Sequence, residues 1–287
     1  MNPYLQLVEQ VQNLRDQGRK LPLGAFADCP RVSVAPDAPR ALIFSPHPDD
    51  ECIIGGLALR LLRQSQWRVV NVAVTQGSNK ERQAGRLEEL RAACRFLQFD
   101  LVTTIPGGLE KINPKTRSGD PAHWQQAVAV VARILQEQRP NVVFCPHELD
   151  WNSSHIGTHF LVIDALKTLP ADFTCDVVET EFWGQMPTPN LMVESSPQDV
   201  ADLMAACSFH VGEVRRNPYH LSQTAWMQDN VRRGGELVGG QGGAAPDFLF
   251  ATLFRLRRWQ NGNLATFYTG GRNLPVSEDP ASLFVRK

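Results

Sequence analysis

The chain has 287 residues, 43% hydrophobic and 21% charged, a globular composition long enough to bury a large core. Its 29 lysines and arginines against 30 aspartates and glutamates leave a net charge of −1, which argues against the electrostatic footprint of a nucleic-acid-binding protein. The polar, periodic amino terminus lacks the apolar core of a signal peptide and no apolar stretch reaches membrane-spanning length, so a soluble, cytoplasmic protein is expected.

Leu5, Val8, Val11 and Leu14 recur at helical spacing and predict an amphipathic helix over residues 4–17, followed by a proline-rich connector to about residue 38. The pattern then repeats. RALIFSP reads as a strand, ECIIGGLALRLLRQ as a helix, WRVVNVAVT as a strand, KERQAGRLEELRAACRFLQ as a helix and DLVTTIP as a strand. After a polar loop, WQQAVAVVARILQEQ is helical, NVVFCP is a strand and HIGTHFLVIDALKTL is a helix. Short β-branched runs alternating with amphipathic helices mark βαβ units, so an α/β, Rossmann-like fold is expected, with a mainly parallel sheet and helices on both faces. Ligands of such sheets bind beyond the carboxyl ends of the strands, which brings together the loops at 45–51, 75–82 and 145–155.

Beyond residue 185 the pattern thins into a C-terminal segment of mixed structure. VADLMAACSF predicts a helix, GGELVGGQGG a surface loop or a lid, and QNGN before LATFYTGG a hairpin turn. With no repeat and no linker, one domain over 1–287 is expected: helix and connector at 1–38, a βα core at 39–170, and a C-terminal part at 171–287 that shapes the substrate pocket. The six cysteines, at 29, 52, 94, 145, 175 and 207, are scattered and mostly in apolar contexts, which predicts buried free thiols rather than disulfides.

The stretch SPHPDDE, residues 45–51, places His47, Asp49, Asp50 and Glu51 at a strand end. Acids in a helix's first turn can serve as caps and dipole partners alone, but an imidazole adds nothing to capping. It does add a nitrogen ligand, and an imidazole with carboxylates is the mixed donor set of a catalytic zinc site. The stretch FCPHELDWNSSHIGTHF follows another strand and holds His147, Asp150, Asn152, His155 and His159. His155 sits at the predicted helix start facing the crevice. His159, one turn on, either shares that face or packs against the sheet.

These residues resemble the LmbE/PIG-L family of zinc-dependent N-acetylglucosaminyl deacetylases, whose hallmark is a His-Pro-Asp-Asp-Glu run, here residues 47–51. Asp150, Asn152 and His155 are similar to the family's second element, and VTQGSNKERQAGRLEELRAACRFLQ resembles its intervening loop and helix. The likeness covers roughly residues 40–170. It implies an LmbE-like fold, His47, Asp50 and His155 as ligands of Zn²⁺ (with Fe²⁺ an alternative), Asp49 as general base, and Glu51 as support for the loop. Strand periodicity alone does not choose between Asp49 and Asp50. Asn152 stands where the family often has a histidine that polarises the acyl oxygen. Asparagine donates a hydrogen bond but delivers no proton, so His159, His147, or the metal with Asn152 are the alternatives.

The implied substrate is an N-acetylated sugar or glycoconjugate, hydrolysed by metal-activated water, with a homo-oligomer compatible. Lys80 and Arg82, near the second loop, are expected to contact sugar hydroxyls or a phosphate. Arg86 is read as part of a solvated helical face, three residues from Glu89. Trp151 is a candidate for stacking on a sugar and Trp183 for core packing. His123, His210 and His220 are read as structural or exposed, with pocket-lining an alternative for the last two. Two rival functions remain at this level: a metal-dependent amidase for a non-sugar N-acyl or thiol-conjugate substrate, and a non-catalytic carbohydrate-binding protein. A nucleotide site is disfavoured, because the carboxylates of the first strand-to-helix turn would repel a pyrophosphate.

Overall fold

In the computed structural model, which describes residues 2–267 and 270–284, the chain opens with α1 (Leu5–Gly18) and then alternates strand and helix. In order come β1 (Arg40–Ser45), α2 (Asp50–Ile53), α3 (Leu57–Ser65), β2 (Arg68–Ala73), α4 (Lys80–Leu97), β3 (Asp100–Thr103), α5 (Pro114–Gly119), α6 (Pro121–Gln138), β4 (Val142–Pro146), α7 (Ser153–Lys167) and β5 (Cys175–Thr180). The C-terminal part adds β6 (Leu191–Glu194), α8 (Pro197–Ser208), α9 (Val211–Arg216), a 3-10 turn at Tyr219–Ser222 and α10 (Gln223–Leu237). It ends with β7 (Ala251–Gln260), β8 (Asn263–Thr266), β9 (Arg272–Leu274) and a 3-10 turn at Pro280–Phe284.

The strand order is β3-β2-β1-β4-β5-β7-β6-β9, with β8 paired to β7. The first five strands are parallel, as the βαβ pattern predicts, and β7 then enters antiparallel to both β5 and β6. Burial follows the pleat. Ala41 and Ile43 of β1 face one core with α3, α4 and α8, while Leu42 and Phe44 face the other with α6 and α7. Because β1 pairs with β2 on one side and β4 on the other, the chain reverses direction across the sheet between β1 and β4. The loops after these two strands flank the crevice where such sheets bind ligands.

Several expectations need correction. The segment after β1 is two helices, not one, because Ile54–Gly56 interrupts it; Gly55 has φ +85°, and a Cβ there would collide with the Thr252 side chain. GGELVGGQGG is not all loop, since α10 runs through Gly234 and Gly235 to Leu237. A side chain at Gly234 would strike Met192 Sδ, so glycine lets the helix lie close on the sheet. The remaining glycine-rich loop lines neither the 800 Å³ nor the 300 Å³ cleft, which fits the surface-loop expectation better than the lid. The hairpin turn is present: Gln260 pairs with Asn263, and Asn261 and Gly262 take φ of +52° and +72°, the left-handed pair of a tight hairpin. Residues 268 and 269 of that stretch lie outside the described residues. Helix α1 forms as expected, but none of its residues is buried. All six cysteines are free and five are buried. Among the described residues no helix is long and apolar enough to cross a membrane.

Helix α7, which carries the second motif, is seated by Gly157. A Cβ there would lie 2.5 Å from the Ile112 carbonyl group and 2.6 Å from Asn113 Cα, both backbone atoms that cannot swing away. Gly157→Ala is therefore expected to cost about 1–3 kcal/mol of stability, read as a lower urea midpoint at unchanged slope.

Candidate metal centre

His47 and Asp50 come from the loop after β1 and His155 from the first turn of α7 after β4, so the sheet's switch point brings together residues 108 apart in sequence. His47 Nδ1 and His155 Nε2 are 3.3 Å apart, and Asp50 Oδ2 is 3.5 Å from the first and 3.4 Å from the second. Three donor atoms thus form a nearly equilateral triangle. Ligands at about 2.0–2.1 Å from a tetrahedral ion stand about 3.3 Å from one another, so the triangle has the edge such an ion requires. The donor set fits a divalent metal.

The surroundings favour a cation there. Burial works against the Asp50 charge, but the imidazoles of His155 and His47 more than offset it and hold the carboxyl well below its usual range. Burial likewise opposes a charge on His155, yet Asp50 and Asp150 raise its pKa to about 10. On its far side His155 Nδ1 faces Asp150 Oδ2 at 3.6 Å, the arrangement by which a carboxylate orients a ligating imidazole. Asp150 is itself fixed by the backbone N–H groups of Asn152, Trp183 and Gly184.

Asp49 stands outside the triangle. Its φ of +116° is strained for a non-glycine residue, and partners from three parts of the chain hold it. Its N–H donates to Glu51 Oε2 at 3.0 Å, the Tyr219 hydroxyl donates to its Oδ2, and Arg86 lies 3.9 Å from that oxygen while donating to the Pro48 carbonyl. Glu51 is clamped in turn by His210 Nε2 at 2.7 Å and by the Cys52 thiol. Burial, and then the neighbouring Asp50 charge, raise the Asp49 pKa to about 6. Burial and the Asp49 charge also push the Tyr219 phenol up.

His47, Asp49 and Asp50 line a cleft of about 800 Å³, and His155 is fully buried behind them. Asn152 lines it too; its Oδ1 caps α7 at Ser154 N, which leaves its amide N–H groups as the available donors. Lys80 and Arg82 lie at the cleft wall, each beside a carboxylate: Glu110 at 3.2 Å and Glu213 at 2.7 Å. His159 is not brought to the cleft. Its Nδ1 is 3.0 Å from the Pro146 carbonyl and 3.6 Å from Glu179, and burial lowers its pKa. His147 is buried against the Gly184 carbonyl, so neither histidine stands in for Asn152. Arg86 is not on a solvated face, since it turns inward to Pro48 and lines the cleft. Trp183 is half-buried, packed against the core as expected and lining the cleft as well, while Trp151 is 78% exposed. Tyr219 and Glu213 were not singled out by the sequence, and His210 only as a structural, exposed or pocket-lining residue, because no motif surrounds them.

The fold and the four residues define a Rossmann-like α/β protein with a two-histidine, one-aspartate centre and a free carboxylate beside it. Residues 42–166, which contain all three cleft loops, match the family described as PIG-L: GlcNAc-PI de-N-acetylase, in agreement with the resemblance read from the motifs. The structure resembles N,N'-diacetylchitobiose deacetylase from Pyrococcus horikoshii, at 17% identity and TM-score 0.54, over 77% of this chain and 84% of that one. It also resembles a conserved protein from Thermus thermophilus, at 19% and 0.54 over 76% and 93%. A third likeness is to GalB, the 4-carboxy-2-hydroxymuconate hydratase from Pseudomonas putida, at 15% and 0.58 over 76% and 95%. These identities speak for the fold alone, which hosts both a deacetylase and a hydratase. No curated protein matches the chain.

Proposed function

We propose that the protein is a metal-dependent hydrolase that removes the N-acetyl group from an N-acetylglucosamine-type sugar or conjugate. The observation that carries this reading is the donor triangle of His47, Asp50 and His155 with the Asp49 carboxylate buried beside it and outside it. The de-N-acetylase family that matches residues 42–166 supports an amide as the bond cleaved, and a sugar as its carrier.

His47, Asp50 and His155 would hold the ion, with Zn²⁺ suited to the mixed nitrogen and oxygen set and Fe²⁺ compatible. A divalent ion there supplies Lewis acidity for the amide carbonyl and makes water more acidic. Asp49 accepts the water proton as the C–O bond forms, then returns it to the sugar nitrogen as the C–N bond breaks, releasing acetate and a free amine. The Asn152 amide donates to the developing oxyanion without moving a proton. Tyr219 and Arg86 hold the Asp49 carboxylate in place through these steps.

The reading is tested by acetate release from a panel of N-acetylated sugars and N-acyl amino acids. Hydrolysis of the sugars is expected, with EDTA lowering the rate by at least about 100-fold and added Zn²⁺ restoring it. A protein loaded with one metal per chain that cleaves none of the amides would overturn the proposal.

A further inference from the structure

A second cavity, of about 300 Å³, adjoins the metal cleft, and Trp183 lines both. Three indole rings bound it: Trp151 at the rim, Trp183 as the shared wall, and Trp226, whose ring meets Trp183 edge-on at 5.8 Å. Trp151 is 78% exposed, a large apolar face left at the mouth of a pocket.

The polar groups fall into two kinds. Charged side chains lining the cavity are paired: Glu181 takes two hydrogen bonds from Arg233, at 2.7 and 2.9 Å, and Asp229 accepts from Arg232 at 2.7 Å. Of the uncharged ones, Asn230 is engaged too, donating to the Ala251 carbonyl and accepting from Arg233, but two others are not. Gln223, only 1% exposed, has neither amide atom hydrogen-bonded, and the Thr252 hydroxyl, 4% exposed, is likewise without a partner. A buried amide with no partner costs about 1–3 kcal/mol, so this pocket is finished only by a ligand or solvent that both donates and accepts. With no unpaired charge, the cavity does not select a phosphate or carboxylate. Aromatic faces with an uncharged donor-acceptor pair suit a neutral ring that shows C–H groups on one side and hydroxyls at its edge.

We infer that this cavity is a subsite for a second, uncharged sugar ring, and that the substrate is an oligosaccharide or glycoside with a ring attached next to the N-acetylated one. The inference rests on the deacetylase reading and narrows its substrate class. Gln223 and Thr252 bind the ring's hydroxyls, and Trp151, Trp183 and Trp226 bind its faces.

Two measurements test it. Intrinsic tryptophan fluorescence is titrated with cellobiose, which has two rings and no amide to cleave; saturable quenching is expected in the wild type, with Kd raised about tenfold or more in Gln223→Leu. Because the amide has no partner in the free protein, Gln223→Leu is expected to be at least as stable as the wild type, which separates lost binding from lost folding. In acetate release, the ratio of kcat/KM for N,N'-diacetylchitobiose to that for N-acetylglucosamine is expected to fall about tenfold in Gln223→Leu and in Trp151→Ala, carried by KM. A flat cellobiose titration, an unchanged ratio in both variants, or binding of phenol without cellobiose would overturn the subsite. Saturable cellobiose binding with no acetate released from either sugar would uphold the subsite and reject the deacetylase reading instead.

Discussion

Asp49→Asn is expected to retain one metal per chain and to lose about 10³- to 10⁴-fold in kcat for amide hydrolysis, a loss in the upper range for removing a general base. Asp49 contributes no atom to the donor triangle, so the centre should load as in the wild type, which elemental analysis of the purified variant checks. Asparagine matches aspartate in shape, accepts the Tyr219 hydroxyl through its amide oxygen, and tolerates a positive φ better than most residues, so the +116° backbone is kept. It also removes one of two adjacent buried carboxylates, and stability should hold or rise. What asparagine lacks is the capacity to take a proton. A variant that folds, binds metal and still hydrolyses at the wild-type rate would mean that another group serves as the base.

The first loop was legible because strand, turn and ligand types lie within a dozen consecutive residues, and His155 because it opens a helix behind a second such strand. Residues that act on the site from afar left no such trace. Tyr219 and His210 reach Asp49 and Glu51 across 170 and 159 residues, and they lie in a 3-10 turn and at a helix start that no periodicity marks. Arg86 was misread for the complementary reason: three residues from Glu89 it looks like half of a surface pair, but Glu89 instead accepts from Gly212 N while Arg86 turns to Pro48. Strand β7 escaped notice because Arg255, Arg257 and Arg258 break an apolar run. In the sheet Arg255 lies opposite Glu179 and Arg258 opposite Asp176, each as an ion pair, Arg257 reaches Glu179 diagonally, and Arg255 also reaches Glu148. That pairing is invisible until β5 and β7 are set side by side.

His155→Ala should fail in a different way from Asp49→Asn. The imidazole is fully buried between Asp50 and Asp150, each of whose side chains is nearly inaccessible. Removing it leaves only His47 and Asp50 of the three donors and exposes two carboxylates to one another with no positive group between them. Metal content is therefore expected to fall well below one per chain, and activity to become undetectable even with added Zn²⁺. The apo variant is expected to unfold about 3 kcal/mol more easily than the apo wild type at neutral pH, because breaking a buried ion pair leaves its charges uncompensated. The comparison must be made on metal-free protein, since bound ion would add its own stabilisation to the wild type alone. Stoichiometric, tightly held metal in His155→Ala would break the link between the β4 loop and the centre, and with it the assignment of the three ligands.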